Sequence, residues 1–437
     1  MLQLTAPRPR QISPSHPLYG KKTYIPRLAA GTFRALAAVL RSLGVDAEVV
    51  PPPDARTLLL GGKHLSGDEC YPLKVVPGDF LRVMEAPGFD ASRTAIFFLT
   101  GQGPCRFGQY TEYIASVLKK LGHSEVTLFY PSCEQGYSNF GEIATEFTRG
   151  TWRAVVSADV LFKLLLKTRP YELSAGQTDA VYEECVADLC NCLEVPYAHQ
   201  SVQLDAIRGS LLDARAKFRK IPIQFDPGRP LIGVVGEIFC RLNEFSNNEL
   251  VRRLEDAGAE VWMNDISEWI WYVNVDQFRR LRLEERGLSL EAFGARVRNA
   301  IQRRDERALL SLFREDFCGY EEPHDIREVL EFAEPYLPAS GANGEMVINA
   351  GKAVYFARKG LDGVIDISPF TCMNGIVGEA VYPRISRDNA GIPIRNFYFD
   401  GTHSDLDRDI GIFLELAKSY QRSKPWPRKL PTLTPAQ

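Results

Sequence analysis

The chain has 437 residues, 52 of them Lys or Arg and 55 Asp or Glu, for a net charge of -3. That length allows two or three domains with full cores, and the near-balanced charge gives no global footprint for nucleic acid or an anionic membrane. Residues 1–17 contain no apolar stretch of the secretory type and no apolar run approaches a bilayer span, so the expected location is cytoplasmic.

Residues 1–19 and 424–437 are Pro-rich and are expected to be flexible. Between them short apolar runs alternate with amphipathic stretches, the pattern of βαβ units around a parallel sheet. In a first block, 20–140, strands are expected at 23–25, 47–50, 58–60, 95–100 and 126–130. Helices are expected at 32–43, where Phe33, Leu36, Leu40 and Leu43 share a face, and near 71–85 and 109–121. Residues 141–225 read as mainly helical, with a single strand-like run at 154–156. The α/β pattern restarts after Asp226-Pro227-Gly228 and extends to 423. Strands are expected at 231–235, 260–263, 364–367 and 394–399, and Ser246-Asn247-Asn248-Glu249 reads as a capping box opening a helix to Gly258. A helical insertion near 276–335 mixes Arg with Glu and Asp, the composition of a solvated face. Further helices are expected near 344–359 and from 374. The two α/β blocks share one order of elements, which predicts two similar lobes facing each other.

The nine cysteines are an odd number and do not suit a closed disulfide framework. In a parallel sheet the loops leaving the C-terminal strand ends share one rim, where ligands bind. Cys70, Cys105, Cys133, Cys240 and Cys372 all fall at expected rims of this kind. A helix N-terminus there offers free N–H groups and favours thiolate, the form that ligates metal. Arg106 is expected to deepen the effect at Cys105, with Asp68 and Glu69 opposing it at Cys70. Cys185, Cys190, Cys192 and Cys318 read as packing residues.

The loop "GQGPCRFGQY" (101–110) could also be a phosphate cradle. A dinucleotide fingerprint needs G-x-G-x-x-G and an acid about 20 residues on, whereas the next expected strand ends in Phe129-Tyr130-Pro131. A P-loop needs Lys and Ser or Thr after the last glycine, and here Gly108 is followed by Gln109-Tyr110. The glycines therefore read as room for a tight turn beside something bulky at Cys105.

Four stretches, "SGDECYPLKVVPGD" (66–79), "GPCRFGQY" (103–110), "GEIFCRLNEFSNNELVRRLEDAGAEV" (236–261) and "DGVIDISPFTCMNGI...NFYFDG" (362–401), resemble the 2-hydroxyacyl-CoA dehydratase family. The similarity is to the branch described as CoA-substrate-specific enzyme activase-related, akin to the dehydratase D-component, and spans residues 20–420. It implies two flavodoxin-like α/β lobes with an iron–sulfur cluster, [4Fe-4S] or larger, between them. Carried over by motif, Cys70, Cys105 and Cys372 would be cluster ligands. Cys133 is the fourth candidate on position, and Cys240 is left as a rim thiol. Asn374 stands where the loop often carries Pro, which puts the local helix geometry in question.

The implied partner is an ATP-dependent activase of the actin/Hsp70-like type, which would deliver low-potential electrons to this chain. The reaction would reduce or dehydrate a small substrate such as an acyl-CoA thioester, in a homo- or heterodimer without nucleic acid or membrane. Lys74, Arg106, Asp400 and His403 are candidate groups around the cluster, with His403 the candidate proton donor. Two other readings keep the cysteines: an accessory subunit that carries a cluster without catalysis, and a structural zinc–thiolate site.

Overall fold

The computed structural model describes residues 10–101, 103, 105–132, 137–339, 344–402 and 405–430. Two four-stranded parallel sheets organise the molecule. The first contains β1 (Lys22–Ile25), β2 (Asp46–Val49), β3 (Thr94–Phe97) and β4 (Thr127–Phe129) in the order β2-β1-β3-β4. The second contains β5 (Leu231–Gly236), β6 (Glu260–Met263), β7 (Gly363–Pro369) and β8 (Ile394–Phe399) in the order β6-β5-β7-β8. The same order occurs twice and is consistent with two flavodoxin-like lobes. In each sheet the order reverses between its two central strands, β1/β3 and β5/β7, and these are the crevices where α/β proteins bind ligands.

Around the first sheet lie α1 (Ala30–Ser42), α2 (Ala55–Gly62), α3 (Tyr71–Met84) and α4 (Tyr110–Lys120). The run at 58–60 is not a strand. It belongs to α2, which Asp54 opens by accepting the Thr57 N–H (3.1 Å) while the Thr57 hydroxyl takes the Asp54 N–H. A reciprocal cap and two following glycines outweigh three consecutive leucines. Cys70 therefore follows a helix rather than a strand, and precedes α3 by one residue.

Residues 154–156 also turn out helical, inside α5 (Ala144–Thr168), whose faces are buried nearly all round. A helix apolar on every side is one that runs through a core. It packs against α1 and β6, so the helical segment that continues through α6 (Gln177–Glu194) and α7 (Gln200–Arg219) is built into the two sheets. Cys185 and Cys190, on α6, lie in the hydrophobic core.

Short α8 (Ile238–Leu242) and α9 (Leu250–Asp256) follow β5. The expected capping box is absent. Asn247 caps Leu250 N–H (3.2 Å), and Asn248 and Glu249 both take positive φ, so the helix starts later. Then come α10 (Ile266–Leu283), α11 (Leu290–Leu310), α12 (Ile326–Ala333), α13 (Glu345–Arg358), α14 (Met373–Asp388) and α15 (Leu406–Gln421).

The segments expected to be flexible are partly fastened. Ile12 and Leu18 are buried, and Ile12 N–H donates to Leu43 O (2.9 Å). At the other end Lys424 donates to buried Asp362 (2.7 Å), and Arg428 pairs with buried Glu260. Two deep ion pairs hold 424–430 against the second sheet despite its prolines. Among the described residues, no helix is long and apolar enough to cross a membrane.

One core runs across both sheets: Tyr71, Phe98 and Tyr110 from the first side pack with Phe239, Cys240 and Phe399 from the second. Asn243 donates to Arg27 O (2.7 Å) across the same boundary, and a Cβ on Gly401 would meet the Tyr71 ring at 2.9 Å.

Candidate functional site

Three of the four expected ligand cysteines open helices. Cys70 caps α3, whose second residue is Pro72. Cys105 caps a 3-10 turn, Arg106–Gln109, that leads into α4. Cys372 caps α14. Cys105 leaves the end of β3 and Cys372 the end of β7, so both stand at the crevices of their sheets. Cys133 and His403 lie outside the described residues.

Cys70 is placed by an unusually close pair of helices. A Cβ on Gly61 would lie 1.8 Å from Lys74 O, and one on Gly78 would lie 2.1 Å from Thr57 O. Only glycine permits α2 and α3 to touch backbone to backbone. Asp79, buried on α3, accepts from the Thr57 hydroxyl (2.8 Å), and burial pushes its carboxyl up to about 7. The side chain of Lys74 lies over Gly62 on this helix pair.

Cys105 is exposed. Its loop does make a tight turn: Gly103 has φ +121, and a Cβ on Gly108 would lie 2.6 Å from Gly101 O. The glycines at 101 and 108 thus make room for their own loop.

Cys372 is buried, preceded by Thr371 at φ 67. A β-branched residue in the left-handed region is strained, and such strain gathers where a loop must aim a group. Asn374 explains the local geometry. Its Oδ1 accepts Met346 N–H (3.3 Å) and its Nδ2 donates to Glu345 (3.3 Å), tying α14 to α13.

Two buried carboxyls that cysteine counting missed act on these thiols, Glu237 on all three and Glu345 on Cys105 and Cys372. Glu237 follows β5 directly and accepts N–H from Phe239 (3.0 Å) and Cys240 (2.8 Å). Glu345 accepts Ile238 N–H (2.7 Å). Burial raises both above the usual carboxylate range, and nearby Arg241 opposes the rise. The charge of Glu237 raises Cys70, Cys105, Cys240 and Cys372, thiols that belong to both sheets. The acid directly after an apolar strand in "VVGEIFC" was the available sequence signal.

The expected thiolates are a correction. Although Cys105 is exposed as a residue, the atoms packed around its sulfur partly desolvate the thiol and push it up to about 11, against the Phe107 N–H, and Glu345, Glu237 and Cys70 add to the rise. Cys372 is raised by burial and Glu237, against N–H groups of Gly375 and Asn374. Cys70 is raised by burial, with the Tyr110 hydroxyl opposing. The helix-terminal N–H groups are present, but desolvation and the carboxyls outweigh them. Arg106 donates to Asp68 O (2.5 Å), and its charge opposes the rise at Cys70. Asp400 accepts from the Thr402 N–H (2.7 Å) and hydroxyl (2.6 Å) in a local turn.

Cys240 is fully buried behind this group, with Cys372 among the charges that raise it. Tyr110, missed at the sequence level, reaches from α4 to Cys70, its Oη 2.9 Å from Sγ. Among the described residues, no three His, Cys, Asp or Glu side chains are gathered closely enough to hold a single metal ion. The thiols stand on both sides of the boundary between the two sheets. No protein-family model matches the chain, and no curated protein matches its sequence.

Proposed function

We propose that the chain is an iron–sulfur redox protein of the 2-hydroxyacyl-CoA dehydratase type, with two flavodoxin-like lobes that share one cluster. The observation that carries this reading is that Cys70, Cys105 and Cys372 cap three helical segments from both sheets, with Cys70 packed on the core that joins the two. The donor set suits the group: thiols on separate loops, each at a helical N-terminus whose N–H groups stabilise charge on sulfur. Cys70, Cys105 and Cys372 would hold the cluster, with Cys133 the fourth thiol of this reading. A bound cluster supplies low-potential one-electron transfer.

The chain's own residues then have separable tasks. Leu73, Phe107, Asn374 and Gly375 point backbone N–H groups at the sulfurs. Thr371 and Asn374 fix the approach of Cys372. The core of Phe98, Tyr110, Phe239 and Phe399 excludes water from one side. The electron would come from an ATP-dependent activase, and the acceptor would be a small molecule such as an acyl-CoA thioester. A second reading, a subunit that hands a cluster to a partner, is favoured by the exposure of Cys105, since an accessible ligand suits exchange.

The test is anaerobic purification with iron and sulfide analysis, and EPR of the dithionite-reduced protein, on wild type and Cys105→Ala. Stoichiometric iron and sulfide with a signal lost in the variant is expected. Iron-free protein after reconstitution, or stoichiometric zinc, overturns the reading. Turnover with a reductase and substrate separates the enzyme from the carrier.

A further inference from the structure

We propose that Tyr110 is a positioning residue whose hydroxyl donates to the Cys70 sulfur, stabilises negative charge there and sets the ease with which the site is reduced. The inference rests on the iron–sulfur reading for its redox consequence, while the hydrogen bond itself belongs to the chain alone.

Tyr110 lies at the start of α4, five residues after Cys105, yet its hydroxyl is 2.9 Å from Sγ of Cys70 on α3. It therefore spans the two thiol-bearing loops of the first sheet. The ring is fixed on two sides, stacked on Phe98 at 5.9 Å between centroids and tilted against Phe107 at 5.6 Å. The residue is buried, and among the described residues its hydroxyl has no other hydrogen-bond partner. A buried tyrosine hydroxyl is ordinarily satisfied by oxygen or nitrogen, so sulfur as its one partner calls for a reason.

Between two neutral groups either atom can donate. Once Cys70 carries negative charge it has no proton to give, and Tyr110 becomes the donor in a charge-assisted bond. That bond strengthens as charge on sulfur grows, so it favours the reduced state over the oxidised one. Hydrogen bonds to the sulfurs are among the levers that set a cluster's potential. Burial and the carboxyls Glu237 and Glu345 disfavour added negative charge, and at Cys70 the Leu73 N–H and Arg106 oppose them only in part. Tyr110 is the buried hydroxyl that works in the opposite direction at Cys70.

Tyr110→Phe keeps the ring and removes only the oxygen, so packing on Phe98 and Phe107 is retained. Two measurements are made on wild type and variant. In the metal-free protein, the S–H infrared band of Cys70, assigned by its loss in Cys70→Ser, is expected to shift in Tyr110→Phe. In the reconstituted protein, a potentiometric titration followed by EPR is expected to show the variant about tenfold less readily reduced. This corresponds to about 59 mV more negative for a one-electron couple, at unchanged iron and sulfide content. A loaded variant with full iron and the wild-type potential overturns the proposal and leaves the iron–sulfur reading standing. Wild type without iron overturns that reading instead, and the S–H band then decides: a shift upholds the hydrogen bond, and coincident bands sink it.

Discussion

The two sheets have the same strand order but hold their thiols in opposite ways. The first is short-stranded, three or four residues each, and its cysteines sit on a close-packed helix pair and an exposed turn. The second has strands of up to seven residues and buries Cys372 and Cys240 among charged groups. There Glu322 accepts from Lys163, Lys352 and Trp262 Nε1 (2.7 Å), Lys352 also donates to Glu268 (2.5 Å), and Lys352 is fully buried. Burial would raise Glu322, but the two lysines hold it at about 2. One fold thus supplies an accessible side, built on glycine contacts, and a fixed side, built on paired buried charge.

The sharpest way to break this contrast is to unpair the second side. Glu322→Gln leaves Lys163 and Lys352 short of a counter-ion, and urea unfolding is expected to show a loss of about 3–5 kcal/mol. A loss below about 1 kcal/mol would mean that the network does not hold the wall.

On the first side the matching test is Asp79, and it depends on pH. In the unfolded chain this group ionises near 3.8, whereas the folded chain keeps its proton up to about 7. Between those values the folded state binds more protons, so wild-type stability falls as pH rises. Asp79→Asn lacks that slope. Its stability relative to wild type is expected to climb across this window by up to roughly 4 kcal/mol and to be flat above it. Parallel stability–pH curves for the two proteins would refute the shift.

A smaller effect is expected at Gly61. Gly61→Ala forces a Cβ against Lys74 O, and the overpacking costs about 1–3 kcal/mol. Because α3 carries Cys70, the same variant should alter the alkylation rate of that thiol while leaving Cys372 unchanged. Equal changes at both would show that the two sides do not move independently.

The parallel-sheet pattern was legible because alternating apolar runs and amphipathic stretches report βαβ units locally. Strands at 231–235 and 394–399 were found within a residue, whereas 58–60 and 154–156 were not. Three leucines in a row look alike in a strand and in a helix, and only the Asp54–Thr57 cap and the burial of α5 on every side separate the two. Rim position holds for Cys105 and Cys372 but not for Cys70, which follows α2 rather than a strand, and at all three burial raises the thiol, because a helix terminus is local and desolvation is not.

The sequence by itself determined the duplicated α/β plan, apart from the runs at 58–60 and 154–156, and the helix N-terminal positions of those three cysteines, since each depends on residues close together in the chain. Only the tertiary structure decided that Glu237 and Glu345 stand among the thiols and that Tyr110 reaches Cys70. It also decided that burial raises those thiols rather than lowering them. Those outcomes depend on groups from different elements meeting where water is excluded, and low dielectric magnifies interactions that no sequence spacing encodes.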